Sequence, residues 1–180
     1  VHIRPAGPAD AAALAEVAAA TFALACPPHT TAEAIAAFIA TNLSEARFRE
    51  YLADPARRLL IAEDAGGPLG YTMLIAGEPA DADVAAAISL RPTVELSKCY
   101  ALPRAHGTGL TAELMGASIA AARTMGETDD PPAGVWLGVN QENARAQRFY
   151  GKHGFERVGV KRFLVGGRYE DDFVYERPVG

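Results

Sequence analysis

The chain has 180 residues, 49% hydrophobic and 22% charged, which suits one ordinary globular domain with a full core. Seventeen Lys plus Arg against 22 Asp plus Glu give a formal charge of -5, so the basic footprint of a nucleic-acid binder is missing and any ionic preference runs towards small cations. Two distant cysteines, Cys26 and Cys99, lack metal-ligand spacing. The first residues show no basic leader with an apolar core, and no run of about 18 consecutive apolar residues occurs, so a reduced cytoplasmic setting without membrane or metal is expected.

Residues 2–4 read as a short strand, after which Asp10 is placed to cap a helix carrying Leu14, Val17 and Phe22 near one face. Cys26-Pro27-Pro28-His29 ends it. Thr31 opens a second helix with Ile35, Phe38 and Ile39 at helical spacing, and Ser44 begins another helical piece reaching Tyr51 and Leu52. Two apolar runs either side of Gly66-Gly67 carry a hairpin signature. Residues 78–91 are poorly patterned and are expected to form a loop hanging over a site. A strand over 93–102 then feeds a Gly-rich turn and a helix to about Met125, followed by a strand from Gly134, a helix ended by Gly154, and two strands flanking Gly166-Gly167. The order predicts an α/β arrangement around one mixed sheet.

The segment Pro103-Arg104-Ala105-His106-Gly107-Thr108-Gly109-Leu110 stands where a strand meets a helix N-terminus, a place where free N–H groups and the helix dipole favour an anion. Neither the Gly-x-Gly-x-x-Gly fingerprint of dinucleotide binding nor a Walker loop is present. The segment resembles the acyl-CoA loop of the GCN5-related N-acetyltransferases (GNAT), whose pattern is an apolar strand, Pro-x-x, then Arg/Gln-x-x-Gly-x-Gly/Ala and a helix. The Pro-x-x spacer fits only if His106 takes the Arg/Gln position. That register also puts Leu114 and Met115 at the family's apolar helix positions, where starting from Arg104 would put Ala112 and Glu113. The loop is then His106, Gly107, Thr108, Gly109, Leu110 and Thr111, with His for Arg/Gln and Thr111 for Gly/Ala as departures.

A second motif is firmer. Asn143, Ala146, Phe149, Tyr150, Gly154 and Phe155 fit the family's Asn-x-x-Ala-x-x-Phe/Leu-Tyr-x-x-x-Gly-Phe. The resemblance implies a GNAT fold over residues 1–180, a mixed and mostly antiparallel sheet whose central strands splay apart, flanked by helices. It implies acetyl-CoA as cosubstrate, with the pantetheine arm bonding to the strand carrying Cys99, Tyr100 and Ala101, and contacts from Asn143. Homodimers are common in the family. The stretches around Trp136 and Glu95 look like PaiA-type polyamine acetyltransferases, which points to a small-molecule amine substrate. Ribosomal-protein members carry a Glu twelve residues before the catalytic Tyr, where this chain has Gly138. The alternatives are a protein N-terminal acetyltransferase and a non-catalytic acyl-CoA-binding regulatory module.

Acyl transfer to an amine needs a neutral nucleophile, a polarised carbonyl and a proton for the leaving thiolate. Tyr150 is the candidate proton donor to the thiolate, its rival reading being an ordinary buried aromatic. Glu95 is the candidate to bind or deprotonate the amine, through water, its rival being a solvated strand residue. Asn143 also reads as a helix cap. Cys99 reads as a small core residue rather than a nucleophile, and His2, His29 and His153 as surface or packing. The run Glu170-Asp171-Asp172 either favours a polyamine or forms a solvated strand.

Overall fold

Seven strands form one sheet in the order β1-β2-β3-β4-β5-β7-β6. These are β1 (His2–Pro5), β2 (Arg57–Asp64), β3 (Gly67–Ala76), β4 (Thr93–Ala101), β5 (Gly134–Asn140), β6 (Glu156–Val165) and β7 (Arg168–Pro178). The computed structural model describes the backbone of residues 1–180 and the side chains of all but Phe163 and Val165. Every neighbouring pair is antiparallel except β4 and β5, which run parallel and meet only at Thr93–Gly134, Val94–Val135 and Glu95–Trp136. Beyond Glu95 the two strands part, leaving the peptide groups of 96–101 on that side without a strand partner while β3 holds the other. This is the splay that the resemblance implies.

Strand alternation builds two cores. Leu59 and Ile61 of β2 face α1 (Ala11–Ala25) and α3 (Glu45–Ala53), where they pack with Leu14, Phe22, Phe48 and Tyr71. Leu60 and Ala62 face the opposite way, against Leu110 and Leu114 of α5 (Leu110–Ala122). On that same side β5 contributes Val135, Leu137 and Val139, with Met115 and Ile119 of α5 and Phe149 and Tyr150 of α6 (Ala144–Lys152). The 18-residue stretch Pro8–Ala25 has a mean hydropathy of 1.3, enough by length and composition to cross a bilayer, but Leu14, Val17 and Phe22 are spent on this core.

Between β3 and α5 one polar pair is buried: the Thr72 and Ser118 hydroxyls lie 2.8 Å apart, both side chains without exposure. Ser118→Ala is expected to lower unfolding free energy by about 1–2 kcal/mol, because Thr72 loses its partner. An unchanged urea midpoint would show the pair to be dispensable.

Local signals place the helices. Thr31 and Ser44 accept the amides of Ala34 and Arg47, starting α2 (Ala32–Asn42) and α3. Asp10 precedes α1 but its carboxylate turns back to the Gly7 amide and to Arg4 instead of capping the helix. The expected loop at 78–91 is corrected. It contains α4 (Ala82–Ala87), started by the Asp81 carboxylate on the amides of Asp83 and Val84. Val84 and Ile88 pack on Trp136 and Val174, so this segment covers the sheet and lines no part of the cavity described next.

Candidate active site

A cavity of about 330 Å³ opens where β4 and β5 separate. Thr21, Phe22 and Cys26 line it from the α1 side of the sheet, Asn143, Ala146 and Tyr150 from the α6 side, and Ser97, Cys99, Tyr100 and Ala101 from the unpaired edge of β4. A β-bulge between Met73 and Leu74's pairings gives Ser97 no partner on β3, so the edge changes direction at the cavity.

The Gly-rich turn closes one end. Gly107 and Gly109 adopt φ of 78 and 85, which a side chain would strain. Gly109 is the N-cap of α5; the Leu110 amide has the Thr108 hydroxyl at 3.4 Å, and the Thr111 and Ala112 amides of the first turn are left for an anion. Thr111 is the second residue of the helix, not its cap, and lines the cavity together with His106 and Gly107. Thr108 and Gly109 belong to the turn without lining the cavity, and Leu110 is buried beneath it. The His106 ring is 3.0 Å from the Ala101 carbonyl, fastening the turn to the end of β4. Arg104 points elsewhere, to Asp64 at 3.3 Å.

The two helix readings of the turn separate cleanly. Leu114 and Met115 are 0% and 1% exposed, whereas Ala112 and Glu113 face solvent. The His106 register therefore agrees with the core.

Asn143 is the N-cap of α6, its side chain accepting the Ala146 amide at 3.1 Å, and it also lines the cavity. Tyr150 is flanked by Phe149 at 5.6 Å and Phe155 at 5.8 Å between ring centres. Among the described residues none hydrogen-bonds its hydroxyl, and burial pushes the phenol well above its usual value. Burial likewise raises the Cys99 thiol to about 12, which keeps it protonated and unsuited to nucleophilic attack. Glu95 stands at the point of splay but does not line the cavity; burial raises its carboxyl, opposed by Lys161, Lys98 and Arg57.

Several groups were invisible as a set in the sequence. Glu170 and Asp172 alternate along β7, so both turn inward, 9% and 6% exposed, while Asp171 between them faces out. Both line the cavity. Lys161 of β6 lies 3.7 Å from Asp172. His29 bonds Glu170 and lies 3.6 Å from Glu142, three residues far apart in the chain. The period-two alternation of β7 was the one signal in the sequence that announced the inward pair.

A sheet opened between two parallel strands, a glycine turn with free helix amides, and a tyrosine over the gap define the acyl-CoA-dependent acetyltransferase class. The chain belongs to the acetyltransferase (GNAT) family, whose model matches residues 20–155. It is 49% identical over 168 residues to an uncharacterized N-acetyltransferase of Mycobacterium tuberculosis, covering 93% of this chain and 97% of that protein. The fold is shared with the PaiA N-acetyltransferase of Thermoplasma acidophilum solved with coenzyme A (TM-score 0.71, 19% identity, 98% of both chains). It is also shared with a spermidine N-acetyltransferase chimera of Vibrio cholerae and human sequences (TM-score 0.64, 18% identity, 99% of this chain and 95% of the other). The chain is thus an acyltransferase with acetyl-CoA as its cosubstrate.

Proposed function

We propose that the protein transfers the acetyl group directly to a primary amine of a small molecule, with polyamines the favoured acceptors. The observation that carries this reading is the inward pair Glu170 and Asp172 in the same cavity as Tyr150 and the free edge of β4. A cationic amine entering from the α1 side meets carboxylates there, and the excess of acidic residues in the chain works in the same sense.

The residues fit the cosubstrate. Amides of the 107–111 turn and the first turn of α5 suit its phosphates, and the peptide groups of Cys99, Tyr100 and Ala101 suit an extended arm added as a strand. Asn143 borders that arm. Bound acetyl-CoA would supply, from its thioester, the acetyl group that is transferred. A backbone N–H of 99–101 polarises the carbonyl. Tyr150 keeps its proton and donates a hydrogen bond to the departing sulfur or relays the amine's proton. Glu95, within the influence of Lys161, acts as a more distant acceptor of charge. Two unpaired cysteines accord with a cytoplasmic setting.

A second reading is a module that binds acyl-CoA without turnover. The observation in its favour is His106, whose ring is committed to the Ala101 carbonyl where the family carries Arg or Gln. A protein N-terminal acetyltransferase is disfavoured by Gly138. The test is free-thiol release from acetyl-CoA with a panel of polyamines, amino acids and peptides. Polyamines are expected to give the highest kcat/KM. Acetylation of peptides alone would overturn the polyamine reading, and coenzyme binding without any turnover would favour the regulatory module.

A further inference from the structure

We propose that Asp172 receives the acceptor's ammonium group and takes its proton, with Lys161 holding the carboxylate in place; this rests on the amine-acetylating function above. Asp172 lies directly across the ladder from Lys161 on one side and from Asn140 on the other. The lysine and the carboxylate share the clearing left by Gly138. A Cβ at that position would come 2.5 Å from Lys161 Cε and 3.3 Å from Asp172 Oδ2, so a side chain there would displace the lysine tip from its place beside the carboxylate.

Position and chemistry agree. Asp172 is buried, lines the cavity with Tyr150 and Cys99, and is opposed by Tyr100 across the gap. Glu95 is outside the cavity, whereas Asp172 is inside it, and Lys161 influences both. The charged and titratable groups that act on Asp172 are Lys161 on β6 and Glu170 on β7, with the outward Asp171 beside it and Tyr100 on β4. Burial raises its carboxyl to about 6 against the pull of Lys161, so it is ionised at neutral pH yet a better base than an exposed aspartate.

The step balances. An N–H bond of the ammonium breaks, its electron pair stays on nitrogen, and an O–H bond forms on Asp172. The nitrogen then forms the amide bond as the carbon–sulfur bond breaks. The second amine proton ends on sulfur, and Asp172 returns its proton to solvent.

The test compares native protein with Asp172→Asn and Asp172→Glu, using acetyl-CoA with spermidine between pH 5 and 9. Native kcat/KM should rise through about pH 6 and then flatten. Asp172→Asn should bind acetyl-CoA within twofold of native, which checks the fold, and lose about 10²–10³-fold at pH 7. Its deficit should shrink by about tenfold per pH unit towards pH 9, as solution supplies the neutral amine. Asp172→Glu should restore part of the rate. A deficit equal at every pH, or none, overturns the proposal. Calorimetry of spermidine added to the CoA-saturated protein separates the two levels. If native protein binds spermidine without turnover and Asp172→Asn does not bind, the transfer function fails while the ammonium site stands. If native protein does not bind it, both fail.

Discussion

Tyr150→Phe is expected to slow acetyl transfer by about 10²–10³-fold in kcat while leaving acetyl-CoA affinity unchanged. The phenylalanine ring keeps the packing against Phe149 and Phe155, so the variant removes only the hydroxyl. That hydroxyl lines the cavity and holds its proton well beyond the ordinary phenol value, which excludes it as a base near neutrality and suits a hydrogen-bond donor. The sign of the shift has a further consequence: ionisation of Tyr150 should cause no loss of activity on the alkaline side below pH 10. Single-turnover thiol release, with calorimetry of coenzyme binding, reads both quantities. A Phe variant as fast as the native protein would remove Tyr150 from the chemistry and leave it as packing.

The second large effect concerns the platform under the glycine turn. Leu114→Ala should cost about 2–5 kcal/mol of stability, because the side chain is wholly buried between α5 and the sheet and its loss leaves a cavity. Glu113→Ala, one residue earlier and facing solvent, should stay within about 0.5 kcal/mol. Urea unfolding of the two variants tests the register of the loop as well as the core. If the glutamate variant were the costlier, the apolar face that the His106 register assigns to α5 would be refuted.

Much of this architecture was legible in the sequence because it depends on local chemistry. Thr31 and Ser44 announce helix starts with their own hydroxyls, and Gly109 and Gly154 mark turns through the backbone freedom they alone possess. The motif from Asn143 to Phe155 gathers packing and site residues on one short helix, so spacing alone reveals it. What escaped was set by pairing between distant strands. No local rule connects Lys161 to Asp172, or His29 to Glu170, and the acidic run on β7 looked like solvated charge until strand alternation separated Asp171 from its neighbours. Helix α4 was missed for a related reason: its short, alanine-rich segment has little pattern, and Val84 and Ile88 become apolar anchors only against Trp136 and Val174. Glu95 shows the limit in the other direction. Its strand was placed correctly, but its distance from the cavity depends on where β4 and β5 part.

That parting also decides what kind of recognition evolution can alter cheaply. Along 96–101 the groups without a strand partner are peptide N–H and C=O, of which His106 takes the Ala101 carbonyl, and every residue except proline offers the same pair. A ligand seated there is read by the main chain, so the identities of Cys99 and Tyr100 are free to drift with the demands of the two cores on either side. The acceptor subsite proposed above, by contrast, is made of side chains from β7, where one substitution changes charge. On that proposal the same opening joins a strand edge tolerant of side-chain changes with an acceptor subsite sensitive to them, an arrangement that would let one fold keep its acyl donor while changing the amine it modifies.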